Sequence, residues 1–343
     1  MTDSLVPVFD GHNDVLLRLF RETEPGAEQR FLAGLEGGHL DLPRMRAGGM
    51  VGGLFAIFVP SPPSAPDEQP RVPSQEEAQA TTLKMASILL RIERASAGKL
   101  RICRDVAAIR AAVAEGAVAA VMHIEGAEAI DPEFHMLEVL QAAGLRSIGP
   151  VWSRPNIFGH GVPFKFPSPP DTGPGLTDLG KELVRQCNAR RILIDLSHMN
   201  EQGFWEVAAI SDAPLVASHS NVHALSESSR NLTARQLAAI RERRGLVGLN
   251  FATGFLRHDG KMTADTELEC MIRHLDALLE ALGEDGVAIG SDFDGATIPQ
   301  PIGDVAGLPN LVQAMLEHQY GEALVRKIAA ENWLGLLERT WAP

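Results

Sequence analysis

Val8-Phe9-Asp10-Gly11-His12-Asn13-Asp14 is the stretch on which the reading of the whole chain turns. Val6, Val8 and Phe9 make a short apolar, partly β-branched run, which predicts a buried strand cut off by Gly11, with His12 and Asp14 just past its end. Residues two apart on extended backbone point the same way, so an imidazole and a carboxylate can converge on one point there. That is a metal-site geometry. Alone it is a weak signal, because a His-x-Asp pair serves equally well as a turn cap or a surface pair.

The same event recurs along the chain. Apolar runs are found at 52–59, 117–122, 147–152, 192–197, 214–218, 246–251 and 287–290. Four of them lead into His123-Ile124-Glu125, His198, His219 and Asp292-Phe293-Asp294. Helical spacing fills the gaps at 15–22, 40–45, 75–97, 106–115, 131–143, 176–188, 203–210, 233–244 and 267–282, and closing helices fall at about 308–340. The segment 25–38 reads as a polar loop, and 61–74 is too rich in proline for regular structure. Residues 153–175 carry many Pro and Gly with no periodicity, as in a lid or binding loop.

Eight apolar strands alternating with helices imply a parallel sheet, and eight βα units close as a (β/α)8 TIM barrel. The chain 1–343 is expected to be one such domain. A doubly wound open sheet is the runner-up, but no Gly-x-Gly-x-x-Gly follows any strand.

Composition narrows the function classes. The formal net charge is -13, from 44 acidic against 31 basic residues, and disfavours nucleic acid or an anionic membrane as partner. Cys103, Cys187 and Cys270 are odd in number and widely spaced, which argues against a disulfide framework or a cysteine zinc site and for a reducing, cytoplasmic setting. No apolar run approaches the roughly 18 residues of a membrane helix, and no leader pattern precedes the first strand.

Barrel enzymes build their sites where strands end. The chain puts His12, Asp14, Glu125, His198, His219 and Asp292 there. Imidazoles and carboxylates without thiolate suit zinc first, with manganese, iron or cobalt as alternatives, and the set is too large for one tetrahedral ion. Two zinc ions bridged by Glu125 and a hydroxide would accommodate such a set, with His12 and Asp14 on one ion and His198 and His219 on the other.

Asp10-Gly11-His12-Asn13-Asp14, His123-Ile124-Glu125-Gly126, Asp195-Leu196-Ser197-His198, Ser218-His219-Ser220, Ser229-Arg230-Asn231-Leu232 and Gly290-Ser291-Asp292-Phe293-Asp294-Gly295 resemble, in this order, the renal or membrane dipeptidase family of the amidohydrolase superfamily. The resemblance implies a commonly dimeric, binuclear zinc barrel that cleaves dipeptides, often with a D-residue at the C-terminal position. It implies Arg230 for the substrate carboxylate and Asp292 for proton transfer. The chemistry agrees, since arginine can clamp a carboxylate bidentately and an aspartate beside the attacking water can carry its proton to the leaving amine.

Two departures stand out. Trp152 falls where mammalian members have a carbonyl-polarising histidine, so that His160 in the following loop is the candidate to take over the role. The leader, lipid-anchor signal and disulfide cysteines of the secreted members are absent, so their location does not carry over. No lysine ends the fourth strand to bridge metals as a carbamate, and Lys165 is well into the loop, which leaves Glu125 as the bridge. Hydrolysis of another small amide (an N-acyl amino acid or a lactam) is the alternative, and a metal-retaining binding barrel without catalysis is the second.

Plainer roles are expected elsewhere. His123 reads as a supporting or core histidine, and His223, His258, His274 and His318 as surface residues. Trp205 and Trp333 read as packing residues and Asp294 as a turn residue. Phe164 and Phe166 either line a pocket or pin their loop.

Overall fold

The computed structural model describes residues 5–62 and 71–342, so the middle of the proline-rich stretch lies outside the described residues. The described residues form nine strands: β1 (Val8–Asn13), β2 (Met50–Phe58), β3 (Leu100–Ile102), β4 (Val118–Glu125), β5 (Leu145–Gly149), β6 (Leu193–Ile194), β7 (Val216–Ser220), β8 (Leu246–Leu249) and β9 (Val287–Ile289). All pair in parallel, in the order β1-β2-β4-β5-β6 and β7-β8-β9. Parallel bridges join the two runs: Asp195 to Val216 on one side, and Asn13 to Phe293 on the other. The Asp14 N–H donates to the Phe293 carbonyl at 2.8 Å and Asp292 N–H to the His12 carbonyl at 3.0 Å, which closes an eight-stranded barrel. The extra strand, β3, lies along the start of β4, below the point at which β5 begins to pair.

Two apolar clusters hold the barrel. The larger fills the space between strands and helices. The smaller gathers Phe9, Leu54, Val121, Leu193, Val216, Leu246 and Ala288 around Trp333 of the C-terminal helix, whose indole N–H donates to the Ile289 carbonyl at 2.8 Å. Strand β4 shows how core becomes site. Ala119 and Val121 belong to this inner cluster, and the two-residue period carries His123 and then Glu125 onto the same face. Apolar plug below and ligand-type residues above thus come from one alternation.

Several expectations need correction. Gly11 does not end β1, which runs on to Asn13. A Cβ at that position would overlap Trp333 and the Ser218 carbonyl, so the glycine serves close approach rather than a turn. The segment 25–38 contains a helix, Ala27–Ala33, whose Phe31 is fully buried. Asp131 takes N–H bonds from His135 and Met136, but the helix itself begins only at His135. The final helix is interrupted by a π-helical turn at Lys327–Glu331. Among the described residues, no helix is long and apolar enough to cross a membrane.

His274 is buried rather than on the surface. Its Nδ1 accepts the Val222 N–H at 3.1 Å, and its Nε2 donates to the Leu256 carbonyl at 3.0 Å. Burial lowers its pKa to about 4, so the folded chain refuses a proton that the unfolded chain accepts near 6.5. Stability from this group is therefore complete above about pH 6.5 and is lost as pH falls toward 4. At about 1.4 kcal/mol per unit, the loss is roughly 3 kcal/mol. Replacing His274 with Gln should flatten urea-unfolding stability between pH 6.5 and 4 relative to wild type, and an unchanged slope would count against this account.

Candidate active site

Glu125 ends β4 and is the point to which the other strands deliver their polar residues. His198 Nε2 lies 2.9 Å from Glu125 Oε1, His219 Nε2 lies 3.4 Å from it, and the two imidazole nitrogens are 3.1 Å apart. On the other side His12 Nε2 is 3.4 Å from Asp14 Oδ2 and 3.7 Å from the same Glu125 oxygen. A tetrahedral zinc ion with bonds of about 2.0–2.1 Å sets its ligand atoms about 3.3–3.4 Å apart. Both triads are near that spacing, and they share one carboxylate.

The polar accounting points the same way. Both ring nitrogens of His12 and Oδ1 of Asp14 are buried without a hydrogen-bond partner. Asp14 stands at the N-cap position of the helix Val15–Arg21, yet its side chain makes no capping bond. The turn-cap role open to a His-x-Asp pair is therefore not the one its carboxylate fills.

Burial, aided by Arg230 and His12, keeps His198 and His219 well below the usual histidine range, so they are neutral lone-pair donors. Burial raises Glu125 well above the carboxylate range and raises Asp292 as well. Against burial, Glu125 and Asp14 lift His12 to about 10. A bound dication would reverse these tendencies, since it stabilises carboxylates and strips protons from its ligands. The donor set thus fits zinc, with Glu125, His198 and His219 able to hold one ion and His12, Asp14 and Glu125 another.

Around this centre lies a cavity of about 670 Å³ that opens to solvent. Asp14, Glu125, His198 and Asp292 reach it from below, and Phe58, Trp152, Phe164 and Phe255 form much of its apolar wall. Trp152 sits between Phe58 and Phe164, with ring centroids 5.0 and 5.4 Å away, and 5.8 Å from the His198 ring. Phe164 lines the cavity and also pins its loop, stacked on Phe255 at 6.1 Å. His160 is not among the lining residues, because the loop turns its ring nitrogen to the Gly175 carbonyl at 3.2 Å.

Arg230 is buried beside this wall. It donates to the His219 carbonyl at 3.1 Å and to Ser220 Oγ at 3.4 Å, with its guanidinium 5.4 Å from the Phe255 ring centre. Its Nε has no partner, and among the described residues no carboxylate pairs with it. It does not pair with Glu227, close to it in sequence, and its side-chain hydrogen bonds go to β7 rather than to a helix end.

Asp292 has a positive φ of 60° and accepts a hydrogen bond from Asn250 Nδ2 at 3.0 Å. That backbone is uncommon for a non-glycine residue and aims the carboxylate into the cavity. Asn250 directly follows β8 and was not singled out from sequence, although a polar residue ending an apolar strand was the available signal. Asp294 instead accepts the His39 N–H at 2.6 Å and the Leu40 N–H at 3.3 Å, so it ties down a neighbouring loop. His123 supports from below, with Nδ1 2.9 Å from Ser147 Oγ.

Residues 3–341 match the family model described as membrane dipeptidase, peptidase family M19. The chain belongs to that family. A solved structure described as dipeptidase AC, a metallopeptidase of family M19, shares 55% identity and superposes with a TM-score of 0.95, covering 99% of this chain and 100% of that one. A metallopeptidase from Rhodobacter sphaeroides, liganded with a phosphinate mimic of the dipeptide L-Ala-D-Ala, is also 55% identical, with a TM-score of 0.95 and coverage of 98% and 100%. A Klebsiella pneumoniae relative, described as an uncharacterized protein in the pqqA 5' region, is 48% identical over 74% of this chain and 94% of its own length. As an M19 protein the chain is a metallopeptidase that hydrolyses peptide bonds, on an amidohydrolase-like TIM barrel.

Gly295 gives a direct probe of this geometry. A Cβ there would overlap Asp14 Oδ2 and Asp292 Oδ1. Gly295→Ala should fold normally, since its neighbours are the open cavity and these two carboxylates, yet lose most metal and activity. Wild-type metal content by mass spectrometry would show that the carboxylates are not held as described.

Proposed function

We propose that this M19 chain is a binuclear zinc dipeptidase, acting on dipeptides that carry a D-residue at the C-terminal position. The observation that supports this most directly is the sharing of Glu125 Oε1 between two triads, each near the spacing of zinc ligands. The D-residue preference draws on the Rhodobacter relative, which is described with a mimic of L-Ala-D-Ala.

Two ions held by His12, Asp14, Glu125, His198 and His219 would supply an acidified water and a polarised carbonyl oxygen. The remaining work falls to the chain. Asp292 stands at the cavity floor with its carboxylate fixed by Asn250, placed to take a proton from the attacking water and hand it to the departing amine. Arg230, whose Nε is unpartnered and which pairs with no carboxylate among the described residues, is the partner for the substrate's C-terminal carboxylate. Trp152 replaces a polar group with an apolar wall and excludes water next to His198.

The test joins metal analysis with a small panel of L,L and L,D dipeptides, assayed before and after chelation. About two zinc per chain with chelator-sensitive cleavage of L-Ala-D-Ala is the expected result. Zinc without cleavage of any dipeptide would move the substrate to another small amide, and no uptake after reconstitution would overturn the mechanism. Asp292→Ala should keep its zinc and lose about 10²- to 10⁴-fold in kcat, the usual worth of a positioned acid–base group. A variant with near wild-type turnover would remove Asp292 from the chemistry.

A further inference from the structure

His198 and His219, which face Glu125 through Nε2, leave their Nδ1 atoms for other partners. For His198 the partner is Ser153 Oγ at 2.7 Å, and for His219 it is Ser218 Oγ at 2.8 Å. Behind Ser218 stands Asp195, whose Oδ2 accepts the Ser218 hydroxyl. Its Oδ1 accepts two backbone N–H groups, from Ser197 at 3.0 Å and from Ser218 at 2.8 Å. Asp195, Ser218 and His219 are all buried.

The direction of these bonds follows from chemistry. An ionised carboxylate can only accept, so the single Ser218 hydroxyl hydrogen is committed to Asp195. The Ser218 oxygen must then accept from His219, which places the imidazole hydrogen on Nδ1 and leaves a bare lone pair on Nε2. Ser197 Oγ lies 3.3 Å from Ser218 Oγ, a longer contact with a neutral oxygen, so the carboxylate of Asp195 is the stronger acceptor and takes that hydrogen.

We propose that Asp195 is a positioning residue that acts through Ser218 to hold His219 in the tautomer able to ligate a metal ion. This rests on the two-ion reading of the site.

The arrangement gives an unusual signature. In Asp195→Asn the carbonyl oxygen must stay on the two backbone N–H groups, so the amide NH₂ faces Ser218. Ser218 then accepts from the amide and donates to His219 Nδ1, which moves the imidazole hydrogen to Nε2, the wrong end for a ligand. Cutting the relay with Ser218→Ala only deprives Nδ1 of its acceptor. Removing Ser218 from the Asn variant lifts the inversion, so the second substitution repairs the first.

The experiment is zinc titration of metal-stripped full-length chain, wild type beside Asp195→Asn, Ser218→Ala and the double variant, with thermal unfolding as a check on folding. Outer partners of ligating histidines are worth about 10- to 100-fold in metal affinity. Ser218→Ala should weaken one zinc by about 10-fold and Asp195→Asn by about 100-fold, with the double variant recovering to about the Ser218→Ala value. A purely structural aspartate predicts the reverse order, with the double variant weakest. A wild-type constant in Asp195→Asn, or a double variant no tighter than it, would overturn the proposal. If Asp195→Asn does not fold, an unchanged constant in Ser218→Ala would do so. A wild-type chain that takes up no zinc would overturn the two-ion reading and the proposal with it.

Discussion

Burial of Asp14 and Glu125, with Asp292 half-buried beside them on one cavity floor, is the constraint on which the upper half of this barrel depends. Ionised carboxylates withdrawn from water cost several kcal/mol each unless they are paired, and Arg230 makes no direct ion pair with any of them. Protons or metal ions must therefore share the space. The pull of Glu125 and Asp14 on His12 shows the first solution, and the ligand spacings show what the second would use. Near this point the backbone departs from regular strand: β6 lasts two residues, and His198 and Asp292 both have positive φ. Such geometry persists only where the surroundings enforce it. Here the closed parallel ladder and the Trp333 plug supply that enforcement.

How strands from opposite sides of a barrel bring their histidines together is a matter of glycine. Gly11, Gly248 and Gly290 each lie so near the Ser218 carbonyl that a Cβ would overlap it. Three strands thus crowd against β7 at one backbone oxygen, and only residues without side chains permit this. One residue further along each chain, His12 and His219 meet with ring centroids 3.9 Å apart. The close approach below the site is what makes the short ligand distances above it available.

Much of this was legible in the sequence, and the misses share a cause. Continuous apolar runs gave away all eight barrel strands, because a strand covered on both faces must be apolar throughout. The ligand-type residues were legible because each stops such a run. Gly11 was misread as a terminator, since local pattern cannot tell a turn glycine from one that admits Trp333, a residue more than three hundred positions away. His274 lies at helical spacing from Met271 and Leu278 on the buried face of its helix, and its ring is satisfied there by the Leu256 carbonyl and the Val222 N–H, partners that its residue type and its charged neighbours Arg273 and Asp276 do not announce. Asn250 carries the same signal, a polar residue ending an apolar strand, but it and the Asp195–Ser218 pair act through other side chains, so residue type alone does not assign their roles. His160 looked available because a loop of proline and glycine has no readable direction.

The position of Arg230 bears on substrate length. Its guanidinium is tied at 3.1 Å to the carbonyl of His219, the same residue whose ring faces Glu125. On the proposed reading, the clamp for the substrate carboxylate and the centre that attacks the peptide bond are therefore fixed to one residue and cannot drift apart. If the terminal peptide bond is the one attacked, a single residue lies between that clamp and the metal centre. Longer chains would present the same terminal bond, but Phe58, Trp152 and Phe164 wall the cavity beside His198 and narrow the space left for the rest of such a chain. A fixed clamp and an aromatic wall together favour two-residue substrates, without any group that reads peptide length as such.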